Sequence, residues 1–211
     1  AVSMRPDRGH EMDDFLRHIG WQNAQRSMLA GDASFRRYER VSDVQRHAVL
    51  MDAPPPWEDV LPFMRVTKAL QTAGVRVPDI LAADETQGFL LLEDLGDLSF
   101  SRLLRATPNR ENELYAGAVE ALLQLRTASV QHAKEYAALL APYDTAVYLR
   151  EVSLLSDWFL PQIMGIERAT ALRAEFLNLW NTVLRAASLR NDCLVHRDYH
   201  ADNLLWLEQE T

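Results

Sequence analysis

His196, Arg197, Asp198 and Asn203 fall on one short polar stretch between the apolar pair Leu194–Val195 and the run Leu204–Leu207. Phosphoryl transfer to a hydroxyl needs a carboxylate beside the nucleophile and a neutral oxygen ligand for Mg²⁺. An Asp and an Asn held on one tight loop supply both. The spacing predicts Asp198 as the base that orients the acceptor hydroxyl and takes its proton late in transfer. It predicts Asn203 as a metal ligand through its side-chain oxygen. His196 is expected to hold the loop backbone and so place Asp198. Asp202 reads as a loop or capping residue, and His200 carries no expected role. One alternative is open: His196, Asp198 and His200 alternate and could offer ligands to a hydrolytic metal. That reading needs a further His pair or carboxylate cluster, and the sequence places none.

Such a loop must be held by its neighbours. Leu194–Val195 and Leu204–Leu207 are expected to be the strands that flank it. Upstream, Phe15, Leu16 and Ile19 recur at helical spacing within Met12–Trp21, with Gly20 as the stop. Arg26–Ala30, Phe35–Val41 and His47–Asp52 read as strands. Phe35–Val41 alternates poorly, since Arg36, Tyr38 and Arg40 oppose Phe35, Arg37, Glu39 and Val41. After Pro54–Pro56, a cap at Glu58 or Asp59 opens a helix with one stripe of Val60, Phe63, Met64, Thr67 and Leu70, stopped by Gly74. Ile80–Ala83 and Phe89–Leu92 are two more strands. From Ser99 onward the period is helical. Stripes at Leu114, Ala118, Leu122 and Leu125, at Tyr148, Val152, Leu155 and Phe159, and at Leu172, Phe176, Leu179 and Val183 are expected to face a core.

This order predicts an α+β, protein-kinase-like two-lobed fold. Residues 1–95 would form an N-lobe of small antiparallel β-sheet with one helix after an extra leading helix. Residues 96–211 would form a mainly helical C-lobe that carries the catalytic loop. Gly31, Asp32, Ala33 and Ser34 sit between two strands, where a phosphate-covering hairpin belongs; backbone N–H groups and the Ser34 hydroxyl can bind phosphate oxygens. Glu93, Asp94 and Leu95 follow the last strand. In a two-lobed kinase this is the hinge, whose backbone reads the adenine edge. Among the later helices, Asp157 and Trp158 offer a carboxylate and a ring suited to the hydroxyls and apolar face of a sugar.

Bulk composition sets limits. The 22 Lys and Arg against 30 Asp and Glu give a formal charge of −8, without a basic run, which argues against a nucleic-acid or anionic-membrane partner. The single cysteine, Cys193, excludes an internal disulfide and is expected to be a buried small side chain. No apolar leader or span-length run is present, so the expected location is cytoplasmic.

The loop His196–Trp206 and the order of elements resemble the aminoglycoside phosphotransferase and choline-kinase-like superfamily. Gly31–Tyr38 and Val49–Pro55 resemble a narrower group, the bacterial kinases of cell-wall recycling that phosphorylate N-acetylmuramic acid and N-acetylglucosamine at the anomeric hydroxyl. The resemblance spans nearly the whole chain. It implies an ATP- and Mg²⁺-dependent kinase of a small hydroxylated substrate, an amino sugar first, with an aminoglycoside or choline as rival substrates. Two departures stand out. Met51 occupies the place where the third strand of a kinase carries a phosphate-binding Lys, although the narrower group shares this stretch. After Asn203 the chain offers only Leu204–Thr211, without the second Mg²⁺-binding Asp. The expectation is therefore a C-terminally truncated chain with little or no activity as it stands. A non-catalytic pseudokinase-like nucleotide-binding module is the remaining alternative. Oligomeric state is not written in the spacings.

Overall fold

The structure is a computed structural model and describes residues 7–29, 35–187 and 192–207. Helix α1 (Gly9–His18) buries Met12, Phe15 and Leu16, one face at i, i+3 and i+4. It ends earlier than Trp21 because Gly20 takes φ +80° and turns the chain. Trp21 is still buried beyond that turn, in the same cluster.

Five strands follow: β1 (Gln25–Met28), β2 (Arg37–Ser42), β3 (His47–Asp52), β4 (Ile80–Asp84) and β5 (Phe89–Glu93). They form one antiparallel sheet in the order β1-β2-β3-β5-β4, with β3 in the centre. Alternation along β3 divides its side chains between two cores. Ala48 and Leu50 join α1, Val41, Phe89 and Leu91 on one face. Met51 joins Ala53, Val60, Leu90 and Leu92 on the other, packed by Phe63 and Met64.

Helix α2 (Val60–Thr72) covers that second face. Asp59 is its cap: the side chain accepts the Leu61 N–H at 2.9 Å, which satisfies a donor with no partner inside the helix. Pro62 is tolerated in the first turn, where its missing N–H costs no helical bond. Gly88 closes the β4–β5 turn at φ +76°. Its carbonyl accepts Ala53 N–H at 2.8 Å, and a Cβ there would lie 2.1 Å from the Ala53 carbonyl oxygen. Only glycine fits that approach.

The poor alternation of β2 has a physical explanation. Arg37 turns to Asp52, which is 1% exposed, at 2.9 Å, and Arg8 at the start of α1 grips the same carboxylate. Arg8 also stacks over the Phe89 ring at 4.3 Å. A buried carboxylate is tolerated because two guanidiniums compensate its lost hydration.

The helical part comprises α3 (Phe100–Ala106), α4 (Glu111–Gln131), α5 (Ala133–Leu139), α6 (Thr145–Leu154), a π turn at Leu155–Phe159, α7 (Leu160–Met164) and α8 (Ile166–Ala186). Leu114, Ala118 and Leu125 are buried as their stripe predicts, but Leu122, Leu155, Phe159, Leu172, Leu179 and Val183 are exposed. Periodicity marks an apolar face without specifying what lies against it. Cys193 is exposed rather than buried.

The chain divides into two compact units, Ala1–Ala128 with His196–Thr211, and Ser129–Val195. The sheet and the His196–Asn203 loop therefore share one unit.

Candidate active site

The loop after Val195 is fixed mainly from its downstream side. Leu204 carbonyl accepts Phe100 N–H at 2.9 Å, Ala201 carbonyl accepts Ser101 N–H at 3.2 Å, and Trp206 N–H donates to Leu98 carbonyl at 2.8 Å. Tyr199, Ala201, Leu204 and Trp206 pack on Phe100, Leu114 and Ala118. The Tyr199 hydroxyl donates to the Ala118 carbonyl at 2.6 Å, which anchors the middle of the loop to α4. Burial pushes the Tyr199 hydroxyl pKa up.

The expected flanking strands do not form. Leu194–Val195 adopts no strand, and Leu204–Leu207 makes a single bridge, Ser99 to Leu205. The Leu194 N–H donates to the Ser129 hydroxyl instead. Leu204 and Trp206 pack on Phe100, Leu114 and Ala118 rather than on a neighbouring ladder.

Arg197 takes φ +73°, a left-handed backbone that non-glycine residues seldom adopt. This turn separates the roles of its neighbours. His196 sets its ring edge-on to Tyr199 at 5.0 Å. Burial lowers its pKa, and His200 adds to that, against an opposing pull from Asp198, so the ring is neutral at pH 7. Asp198 is 74% exposed and open to a substrate.

Asp198 and Asn203 meet. Asn203 Nδ2 donates to Asp198 Oδ2 at 2.9 Å and to the Asp198 carbonyl at 3.0 Å. Two oxygens at those distances require the NH₂ end of the amide. Asn203 Oδ1 is thereby turned away from Asp198, as a neutral oxygen available to a hard cation. The residue types suit Mg²⁺, which takes one or two protein oxygens and completes its shell with water and phosphate. Among the described residues, no group of three or more His, Cys, Asp or Glu stands ready to hold a metal ion. The hydrolytic alternative at His196, Asp198 and His200 therefore lacks its ligand set.

The other expected site residues are placed as follows. Gly31, Asp32, Ala33 and Ser34 lie outside the described residues. Just beyond them, Phe35 stacks on Trp57 with ring centroids 6.3 Å apart. Glu58 accepts the Phe35 N–H and pairs with Arg36 at 3.1 Å. Glu93 ends β5 and pairs with Arg76, whose hydrogen bond is the main cause of its lowered pKa. Asp94 accepts Arg40 at 2.6 and 3.0 Å and the Gly96 N–H at 2.9 Å. Burial pushes the Asp94 carboxyl up, but Arg40 and Gly96 outweigh it and hold the pKa low. Arg40 also reaches Asp97 at 2.8 Å and keeps that carboxyl low. Leu95 lies between these two carboxylates in sequence.

Asp157 and Trp158 fall on the π turn in the Ser129–Val195 unit. Asp157 pairs with Arg173 at 2.6 Å, and Trp158 is 72% exposed. π turns often mark functional positions.

The Arg40–Asp94–Asp97 cluster and the Tyr199 anchor are features that sequence reasoning missed. Met51 is fully buried among apolar side chains, so no cation replaces lysine at that place. Of the arginines near it in sequence, Arg37 serves Asp52 and Arg46 serves Asp43 and the Gly20 carbonyl.

An antiparallel sheet with a helix on each face, joined through a short charged linker to helices and an Asp/Asn loop, defines a kinase-like α+β protein. The phosphotransferase enzyme family matches residues 27–211, and the chain belongs to that family. It is 40% identical over 179 residues to the N-acetylmuramate/N-acetylglucosamine kinase of Pseudomonas aeruginosa, covering 85% of this chain and 51% of that protein. The kinase of the same name from Pseudomonas putida is 34% identical over 92% of this chain and 56% of its own length. That from Caulobacter vibrioides is 29% identical, over 92% and 61%. The chain thus spans about half the length of the two Pseudomonas kinases it matches. Among the described residues, no helix is long and apolar enough to cross a membrane.

Proposed function

We propose that this chain carries the nucleotide-binding sheet and catalytic loop of an ATP- and Mg²⁺-dependent kinase. Its acceptor is the anomeric hydroxyl of N-acetylmuramate or N-acetylglucosamine, and its setting is cytoplasmic cell-wall recycling. Residues 1–95 act as the N-lobe and 96–211 as the helical C-lobe. The single observation that carries the reading is the contact between Asp198 and Asn203, with the base exposed and the amide NH₂, not its oxygen, facing Asp198. The names of the similar kinases support the choice of substrate.

In this reading Asp198 orients the acceptor hydroxyl and receives its proton as the bond to phosphorus forms. Asn203 Oδ1 would hold Mg²⁺, which would supply charge neutralisation at the phosphates. His196, kept neutral by burial, braces the loop against Tyr199. Gly31–Ser34 covers the phosphates. The backbone of Glu93, Asp94 and Leu95 reads adenine, since the Glu93 and Asp94 carboxylates are committed to Arg76 and Arg40. Trp158 and Asp157 contact the sugar.

The test is ATP consumption by the complete gene product with Mg²⁺, offered N-acetylmuramate, N-acetylglucosamine, kanamycin and choline, with Asp198→Asn as control. Turnover on the amino sugars that disappears in the control is the expected result. Turnover confined to kanamycin or choline would move the substrate. Buried, uncharged Met51 favours a second reading, a nucleotide-binding module without transfer. ATP binding with no turnover on any acceptor would establish that instead.

A further inference from the structure

Arg40 closes an ion cluster that the transfer chemistry does not use. Its guanidinium presents two flat edges, and each edge grips a different carboxylate. Nε and Nη2 donate to Asp94 Oδ2 and Oδ1 at 2.6 and 3.0 Å. Nη1 and Nη2 donate to Asp97 Oδ2 and Oδ1 at 3.0 and 2.8 Å. Paired bonds of this kind fix direction as well as distance, which the point charge of a lysine would not do. The segment so held is neither strand nor helix. Within it, Gly96 takes φ +79° with open space where a side chain would stand. The upstream end is tied separately: Glu93 accepts Arg76 at 2.8 Å and the Asp79 N–H at 3.1 Å, and its own N–H donates to the Asp79 carbonyl at 2.8 Å. Downstream, the Asp97 carbonyl accepts the Ser99 N–H at 2.9 Å. Leu95 lies between these ties. Among the described residues, nothing hydrogen-bonds its N–H or its carbonyl.

We infer that Arg40 is a positioning residue for nucleotide binding: its two forks hold the Asp94–Asp97 segment in the conformation that leaves the Leu95 backbone free for the edge of adenine. The inference rests on Glu93–Leu95 being the stretch that reads adenine. A glycine at this point admits backbone conformations closed to other residues, so an unclamped segment would wander. A base binds only the competent conformers, and its apparent affinity falls by the fraction they represent. The clamp removes that loss before the nucleotide arrives. Arg40 acts through the linker and makes no contact with the base. The phosphates are held by other residues, so their share of the affinity does not depend on it.

The experiment measures dissociation constants for adenosine and for magnesium tripolyphosphate by calorimetry on the complete gene product, as wild type, Arg40→Met and Asp97→Asn. Denaturant midpoints are recorded beside them. Asp97 is half-exposed, so Asp97→Asn removes one fork at little expense in stability. Adenosine should bind roughly tenfold more weakly in Arg40→Met and about threefold more weakly in Asp97→Asn, with tripolyphosphate unchanged in both. A merely structural role would weaken both ligands together, and that result would overturn the inference. So would wild-type adenosine affinity in folded Arg40→Met; where that variant does not fold, wild-type affinity in Asp97→Asn decides the same way. Turnover of N-acetylmuramate by the wild type alongside either result would leave the kinase reading standing. A wild type that binds no adenosine and turns over no acceptor would overturn both.

Discussion

Arg40 on β2 reaches across the sheet to two carboxylates of the linker after β5, and its removal has a calculable consequence. Asp94 is 7% exposed at its side chain and Arg40 27%, while Asp97 is half-exposed. In Arg40→Met the Asp97 contribution is screened by water and is set aside. The Asp94 carboxylate stays buried and keeps only the Gly96 N–H. Breaking a fully buried pair costs about 3–5 kcal/mol, and a hydrogen bond to a charged group contributes about 1.5–3 kcal/mol. Partial exposure of Arg40 and the retained Gly96 bond place the expected loss at about 2 kcal/mol. Denaturant unfolding of Arg40→Met, Asp94→Asn and the double variant measures it. The double variant should be less destabilised than the two singles added, with a coupling of about 1 kcal/mol or more. Acid should act likewise. Both carboxyls are held below their ordinary 3.8, so the pairing is intact at neutral pH and is lost as pH falls below about 3.8 through the lowered folded-state values. A loss under about 0.5 kcal/mol, or singles that simply add, would refute the argument.

Other outcomes follow from the same physics. His196 should titrate by NMR with a midpoint below 6.5. Its lowered folded-state pKa means that its contribution to stability is present above 6.5 and is lost as pH falls below that. Gly88→Ala should cost about 1–3 kcal/mol in chemical denaturation, because φ +76° and the Ala53 carbonyl both oppose a Cβ. In the proposed reading, Arg36→Met should raise KM for ATP roughly tenfold with little change in kcat: Arg36 follows the Gly31–Ser34 segment in sequence, Glu58 holds its side chain, and buried Met51 offers no charge. An unchanged KM would remove Arg36 as the substitute for lysine.

The order of helix, three strands, helix and two strands was legible because each apolar run is short and is closed by a glycine or a polar residue. A cap at Glu58 or Asp59 was legible for the same local reason, and Asp59 takes the role. Asp198 and Asn203 were legible as two residues of one loop, but the hydrogen bonds between them were not part of that expectation. What escaped depends on distance along the chain. Arg37 meets Asp52 across a strand pair, and Arg40 meets Asp94 and Asp97 from more than fifty residues away. Neither pairing leaves a period, so the charges of β2 looked like faults in an alternation. Leu204–Leu207 looked like a strand because it is a short apolar run beside a polar loop, yet strand formation needs a partner edge. One bridge at Ser99 and the packing on Phe100 hold it instead. The exposed leucines of α8 show the same limit from the other side.

The bonds joining Leu98, Phe100 and Ser101 to Ala201, Leu204 and Trp206 make the linker exit and the loop exit a single cooperative opening unit. The amides of Phe100, Ser101 and Trp206 should therefore exchange with solvent at a shared rate, although about a hundred residues separate them in the chain. A nucleotide that orders the segment around Glu93–Leu95 would slow all three together by mass action. In the proposed reading, a nucleotide held at Glu93–Leu95 would then be felt at Asn203, and the loop would be quietest when a donor is already in place.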